Sequence, residues 1–321
     1  MTTTIVPLGT ASAIPVHGRH LSALALERKG RVWLFDCGEG TQYRFLEAGL
    51  KRSRIDGIFI SHFHGDHLYG LMGLVSTMAL LRREEPLTLV APQGLRQIMA
   101  VMPGTEPDLL PFPIEFVELD EGFGHATVVA HDEFTVTARP LAHRTFAMGF
   151  RFEEHARPGH LHPDAARALG VTDYADFRRL KAGKPVTLGD GTTVEPSQVL
   201  GPERPGIAFA YVPDTRPCAG GRRLARGADL LYHEATFGEE LQQRAIDTGH
   251  STAREAATVA RDAEADRLLI GHFSARYEDP TVLAEEARTV FPNTEAAEEL
   301  NRYVLDPREK WAALEDEHES P

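Results

Sequence analysis

Ile58-Phe59-Ile60-Ser61-His62-Phe63-His64-Gly65-Asp66-His67 is the stretch that decides the fold. An apolar run of β-formers, Ile55–Ile60, gives way at once to His62, His64, Asp66 and His67. A buried strand that stops this way delivers four polar side chains to one strand end, where a loop can wrap a metal ion. Imidazole nitrogen and carboxylate oxygen both suit zinc. Alternation sets His62 and His64 on one side of the chain and turns Asp66 and His67 to another, which fits two neighbouring metals. A solvated surface loop is the competing reading, and this density of ligand-type residues directly after an apolar strand speaks against it.

Outward from this stretch, short β-rich runs alternate with amphipathic ones: Arg31–Asp36, Leu87–Val90, Thr135–Ala138, Ile207–Val212, Asp229–Tyr232 and Arg267–Ile270 read as strands, and Gly40–Leu50, His67–Arg83 and Gly94–Met102 as helices. The pattern is that of an α/β protein. Thr252-Ala-Arg-Glu255 reads as a capping box, so a further helix should begin at about Ser251. Three later strand ends carry more candidate ligands: His143 in RPLAHRT, Asp214 in AYVPDTRP and His272 in LLIGHFSARY. Each alone is equally well read as a polar strand end bonded to backbone; the joint pattern favours a second metal. Residues 152–199 break into Pro/Gly-punctuated polar segments without a strand long enough for a central sheet, the texture of an arm inserted into a domain spanning 1–305. Residues 306–321 form an acidic tail.

Composition narrows the function classes. A chain of 321 residues, 42% hydrophobic and 25% charged, can bury a sizeable core. No apolar run reaches membrane-spanning length and the N-terminus lacks a signal-peptide pattern, which gives the expectation of a cytoplasmic protein without a membrane partner. Cys37 and Cys218 are too few and too far apart for a disulfide framework or a Cys-based zinc site. The net charge of −13 argues against diffuse nucleic-acid binding, so RNA would have to meet a local patch. Phe177–Lys184 offers one, with Arg178, Arg179, Lys181 and Lys184 and no acid, unless it is only a solvated helix face.

The motifs LGTASAIP and LFDCGEGTQ, HxHxDH, and the later His, Asp and His together resemble the metallo-β-lactamase superfamily across nearly the whole chain. Within it, ISHFHGDHLYGLMGL, VPDTRP, HEATF, GHSTAREAA and HFSARY are similar to ribonuclease Z, the HST segment after HEATF being the sharpest discriminator. The resemblance implies an αβ/βα four-layer sandwich with an inserted substrate-binding arm, two Zn2+ per chain and a homodimer. It also implies an endoribonuclease that cleaves the 3′ trailer from precursor tRNA and leaves a 3′-hydroxyl.

Carried over position by position, His62, His64 and His143 would hold one zinc, Asp66, His67 and His272 the other, and Asp214 would bridge them. Water shared by the metals would attack phosphorus in line as hydroxide, with Asp66 as its base. The departing 3′ oxygen needs an acid, for which His250 is the candidate and Glu234 its orienting partner; a helix-entry capping role is the alternative for His250. Arg19 and His20 lie where the family reads the tRNA end, or else in an ordinary solvated loop. His125, His131, His155, His160, His162 and His318 read as surface residues and His233 as a core imidazole. The arm keeps LKAGKPV but lacks the Gly-Pro-rich tip of ribonuclease Z arms. A small-molecule phosphodiesterase or other ester hydrolase of the same superfamily shares the metal site and remains open beside the tRNA reading, with a non-catalytic RNA-binding scaffold weaker still.

Overall fold

The structure is a computed structural model and describes residues 2–308. Beyond residue 308 the expected acidic tail, with His318, lies outside the described residues. The chain divides into two compact units, one built from Met1–Glu153 with Ala208–Leu305 and another that contains Glu154–Ile207.

The first unit holds two mixed seven-stranded sheets. One is formed in spatial order by β16 (Tyr303–Leu305), β1 (Thr3–Gly9), β2 (Ala23–Arg28), β3 (Arg31–Phe35), β4 (Ile55–Phe59), β5 (Leu87–Pro92) and β6 (Ile114–Leu119). The other runs β15 (Thr294–Ala296), β14 (Leu268–Gly271), β13 (Leu230–Glu234), β12 (Ala208–Val212), β9 (Met148–Glu154), β8 (Phe134–Pro140) and β7 (Ala126–His131). In each sheet four consecutive strands are parallel, β3 to β6 and β12 to β15.

Period-two alternation explains how the sheets stack. Trp33, Phe35 and Phe59 of the first sheet meet Phe134, Phe150, Phe209 and Tyr211 of the second, with ring centroids 5.0 Å apart for Trp33–Phe134, 5.3 Å for Phe59–Phe150 and 5.4 Å for Phe35–Tyr211. Their strand neighbours face the opposite way: Val32, Leu34, Ile58 and Ile60 pack with Leu71, Leu74 and Met78 of the helix Gly70–Leu80. On the second sheet Ala210 and Val212 pack with Ala256, Ala257 and Ala260 of the helix Ala253–Asp262. Helix, sheet, sheet and helix are therefore the four layers expected.

Two local expectations are corrected. The single helix expected over His67–Arg83 is two, Gly65–Leu68 and Gly70–Leu80. The break falls where Gly70 N–H donates to Cys37 O at 2.9 Å, and a Cβ at Gly70 would stand 2.0 Å from Gly38 O, so only glycine permits this approach. The helix expected from Ser251 starts at Ala253, with Thr252 as its N-cap and the Thr252–Glu255 capping box formed. The second unit starts at Glu154 rather than 152 and continues past 199 to Ile207. It contains the helices Pro163–Ala168 and Tyr174–Lys181, the two-residue strands β10 (Val186–Thr187) and β11 (Thr193–Val194), and its own small core of Ala166, Val171, Leu180, Val186, Val194 and Val199.

Candidate metal centre

Strand ends supply the site, as is usual at the carboxyl edges of parallel sheets. His62 and His64 follow β4, Asp214 follows β12, Glu234 ends β13, His272 follows β14, and His143 follows β8. All seven expected ligands converge. His62 Nε2 lies 3.0 Å from His64 Nδ1 and 3.6 Å from Asp214 Oδ2, and His143 Nε2 lies 3.4 Å from His64 Nδ1 and 3.8 Å from Asp214 Oδ2. In the second group His67 Nε2 and His272 Nε2 are 3.3 Å apart, 3.5 and 3.4 Å from Asp66 Oδ2, and each 3.2 Å from Asp214 Oδ1. Ligands at zinc bond lengths on a tetrahedron stand about 3.4 Å apart. Both groups have edges of that size, and Asp214 offers one oxygen to each.

Proton accounting shows what these edges are. The single Thr236 hydroxyl hydrogen goes to Glu234 Oε2 at 2.8 Å, so His272 Nδ1–H must donate to Thr236 Oγ1 at 2.9 Å. Ser61 likewise gives its hydrogen to Asp36 Oδ2 and receives His62 Nδ1–H at 2.9 Å. His67 Nδ1–H donates to Asp36 at 2.7 Å and His143 Nδ1–H to Gly249 O at 2.7 Å. The imidazoles of His62, His143 and His272 thus turn a bare Nε2 inward, and that of His67 does so once a cation displaces its Nε2 proton. Two lone pairs facing each other at such distances, with a buried Asp214 Oδ1 that makes no hydrogen bond, fit a cation between them. Burial holds His62, His64 and His143 below the ordinary histidine pKa, the neutral form a metal needs. Burial also opposes charge on His67, but Asp214 and Asp36 outweigh it and hold that imidazole well above its ordinary value. The cluster thus carries excess buried negative charge.

His250 stands beside the cluster, its side chain 13% exposed, with Nδ1 at 3.0 Å from Glu234 Oε1. Burial disfavours its charged form, yet Glu234 and Asp214 prevail and lift its pKa to about 9. Asp214, His250 and His272 also satisfy ligand spacing. The atom that His250 turns toward Asp214 is Nδ1, 3.9 Å from Oδ2 and already engaged by Glu234, which sets it apart from the imidazoles that face the cluster with Nε2. A cavity of about 560 Å³ opens over the cluster, lined also by Glu39, Tyr69 and Arg144.

Arg19 and His20 do not line that cavity: Arg19 donates to the carbonyls of Glu278 and Ser274, and His20 Nδ1 meets Glu299 Oε2 at 2.8 Å. Arg178, Arg179, Lys181 and Lys184 are exposed in the second unit. His125, His131, His155, His160 and His162 are exposed as expected, and His233 is buried with Nδ1 on Glu234 O. Sequence reading missed Asp36, which accepts from Ser61 N–H, the Ser61 hydroxyl, His67 and the Tyr211 hydroxyl. The signal was present, since Asp36 is a polar residue ending an apolar strand.

Two mixed sheets bearing this His/Asp cluster define a metallo-β-lactamase-fold protein. YhfI of Bacillus subtilis, a protein of that fold, superposes with TM-score 0.66 over 95% of this chain and 99% of its own at 17% identity. The family model described as Anti-Pycsar protein Apyc1 matches residues 3–101. The ribonuclease Z of Salinibacter ruber is 61% identical over 95% of both chains, and that of Bacillus licheniformis 41% identical over 90% of this chain and 95% of its own. Human tRNase Z, short form, superposes with TM-score 0.68 over 94% of this chain and 98% of its own at 28% identity. The chain belongs to the ribonuclease Z family of metal-dependent endoribonucleases.

Proposed function

We propose that the protein cleaves the 3′ trailer from precursor tRNA, leaving a 3′-hydroxyl on the tRNA, with two Zn2+ held by His62, His64 and His143 and by Asp66, His67 and His272. Asp214 would belong to both. The observation that carries this reading is the placement of the two Asp214 oxygens, Oδ2 toward His62 and His143 and Oδ1 toward His67 and His272. Zinc bound in such a pair lowers the pKa of water toward neutrality and offsets charge on phosphoryl oxygens.

The chain's own residues would do the rest. Asp66 receives Ala13 N–H at 2.7 Å. Burial works against its ionisation, but the imidazoles of His272 and His67 beside it keep it below the ordinary carboxylate range, available as a proton acceptor. His250, protonated through Glu234, would give its proton to the departing 3′ oxygen. Arg178 and Lys181, which line a hollow with Tyr174 and Phe177, would contact tRNA phosphates together with Arg179 and Lys184. A cytoplasmic homodimer belongs to the same reading. Among the described residues no helix is long and apolar enough to cross a membrane.

The test compares intact precursor tRNA with bis(p-nitrophenyl) phosphate as substrates and counts bound metal. The expected results are cleavage of the precursor to a 3′-hydroxyl end, about two zinc per chain, and loss of more than one equivalent in Asp214→Ala. Hydrolysis of the chromogenic ester without cleavage of the precursor would instead establish a small-molecule hydrolase.

A further inference from the structure

Ser12, Ala13, Thr248 and His250 line the metal cavity and also a second, smaller hollow of about 220 Å³. The second hollow is completed by Arg244, Arg276, Phe237 and Ile14, among others. Both arginines are exposed, and neither meets a carboxylate among the described residues. Arg244 stands over the Phe237 ring at 6.0 Å and Arg276 reaches the Ser274 hydroxyl at 3.5 Å. Ile14 is 57% exposed and offers an apolar surface beside them. In a chain of net charge −13, two uncommitted guanidiniums at one hollow are a local anion site, and their planar donors match phosphate.

We propose that this second hollow receives the nucleotide that stays on the tRNA after the cut, with Arg244 and Arg276 on the phosphate 5′ to it. The assignment rests on the endonuclease reading above, because the products fix the polarity of the strand. Water oxygen bonds to phosphorus and gives its proton to Asp66, while the bond from phosphorus to the 3′ oxygen breaks with its electron pair on that oxygen. The 3′ oxygen takes the proton from His250 and remains with the tRNA; phosphorus remains with the trailer. The nucleoside bearing the 3′ oxygen must therefore adjoin His250, and His250 lines the second hollow as well as the first. The trailer is left to the metal cavity.

Two labelled RNAs test this by fluorescence anisotropy on the zinc-loaded full chain: an acceptor-stem minihelix ending in a free 3′-hydroxyl at the cleavage position, and a 5′-phosphorylated trailer oligonucleotide. Arg244→Gln with Arg276→Gln should weaken the minihelix by about tenfold or more and lower its salt slope by about one per arginine. Trailer affinity should move by less than about twofold, since its phosphates lie elsewhere. The double lysine variant, which keeps the charge, should recover most of the minihelix binding. Equal weakening of both RNAs, weakening of the trailer alone, or no change overturns the assignment. Wild-type protein that fails to cleave precursor tRNA overturns the functional reading, whereas cleavage with unchanged variant binding overturns this hollow alone.

Discussion

Every hydrogen-bond partner of the Glu234 carboxylate among the described residues is a donor: the backbone N–H groups of Thr215, Ser251 and Thr236, the Thr236 hydroxyl, and His250 Nδ1. The residue thus closes the ends of three segments as well as charging the imidazole. Glu234→Gln must set its NH2 against at least one donor, a buried mismatch costing about 1–3 kcal/mol. We expect a lower urea midpoint alongside slower cleavage, and a midpoint equal to wild type would show that Glu234 acts through charge alone. His250→Ala should keep both zinc ions, bind precursor tRNA, and cleave it about a hundredfold or more slowly, the usual worth of a positioned acid. Nitrophenolate is already a stable anion, so hydrolysis of bis(p-nitrophenyl) phosphate should fall much less. Equal losses on the two substrates, measured at full metal content, would remove His250 from the role of leaving-group acid.

At the scale of elements, the helix Tyr174–Lys181 carries Arg178, Arg179 and Lys181 in its last turn, where cations also favour the helix dipole. Neutralising these with Lys184 to Gln should weaken precursor binding and flatten its salt dependence. Unchanged affinity in the quadruple variant would make the patch a solvated face. Parallel strands such as β4, β12 and β14 were legible because their apolar runs end in ligand-type residues. β1 and β9 were not, since Pro7 and Gly9 in one and Arg151 and the acidic end of the other interrupt the apolar signal, and only pairing with neighbours makes them strands. That the seven candidate ligands come together could be read from spacing and resemblance. Asp36, Ser61 and Thr236 could not be assigned their roles, because which hydroxyl holds which imidazole depends on contacts between loops distant in sequence. Arg216 is a similar case: it pairs with Glu255 of the capping box and donates to His250 O, tying the Asp214 loop to the helix entry.

Across the whole molecule, the sheets are joined by the aromatic layer and, at its margin, by charge. Arg28 of β2, buried, donates to Glu133 at 2.9 Å and lies 5.6 Å above the Phe134 ring, so a residue of the first sheet is fastened to the turn between β7 and β8 of the second. Lys29 donates to the same carboxylate at 2.6 Å. Hydrogen bonds from Lys29 and then Arg28 pull the Glu133 pKa from its ordinary 4.5 down to about 2. The folded state therefore binds the Glu133 proton less readily than the unfolded chain does, and unfolding takes up a proton in acid. The stability from this pair is complete above the ordinary pKa of 4.5 and is lost as pH falls through about 2. Glu133 is 37% exposed, and solvent screening limits the contribution to about 1 kcal/mol. Glu133→Gln should lower unfolding free energy by about that much at pH 7. Metal loss in acid affects both proteins alike, so the difference between wild type and variant isolates the pair. That difference should shrink toward zero as the pH approaches about 2. A gap of constant size across that range, followed by urea denaturation, would show that Glu133 holds the sheets together by shape and neutral hydrogen bonding rather than by its charge.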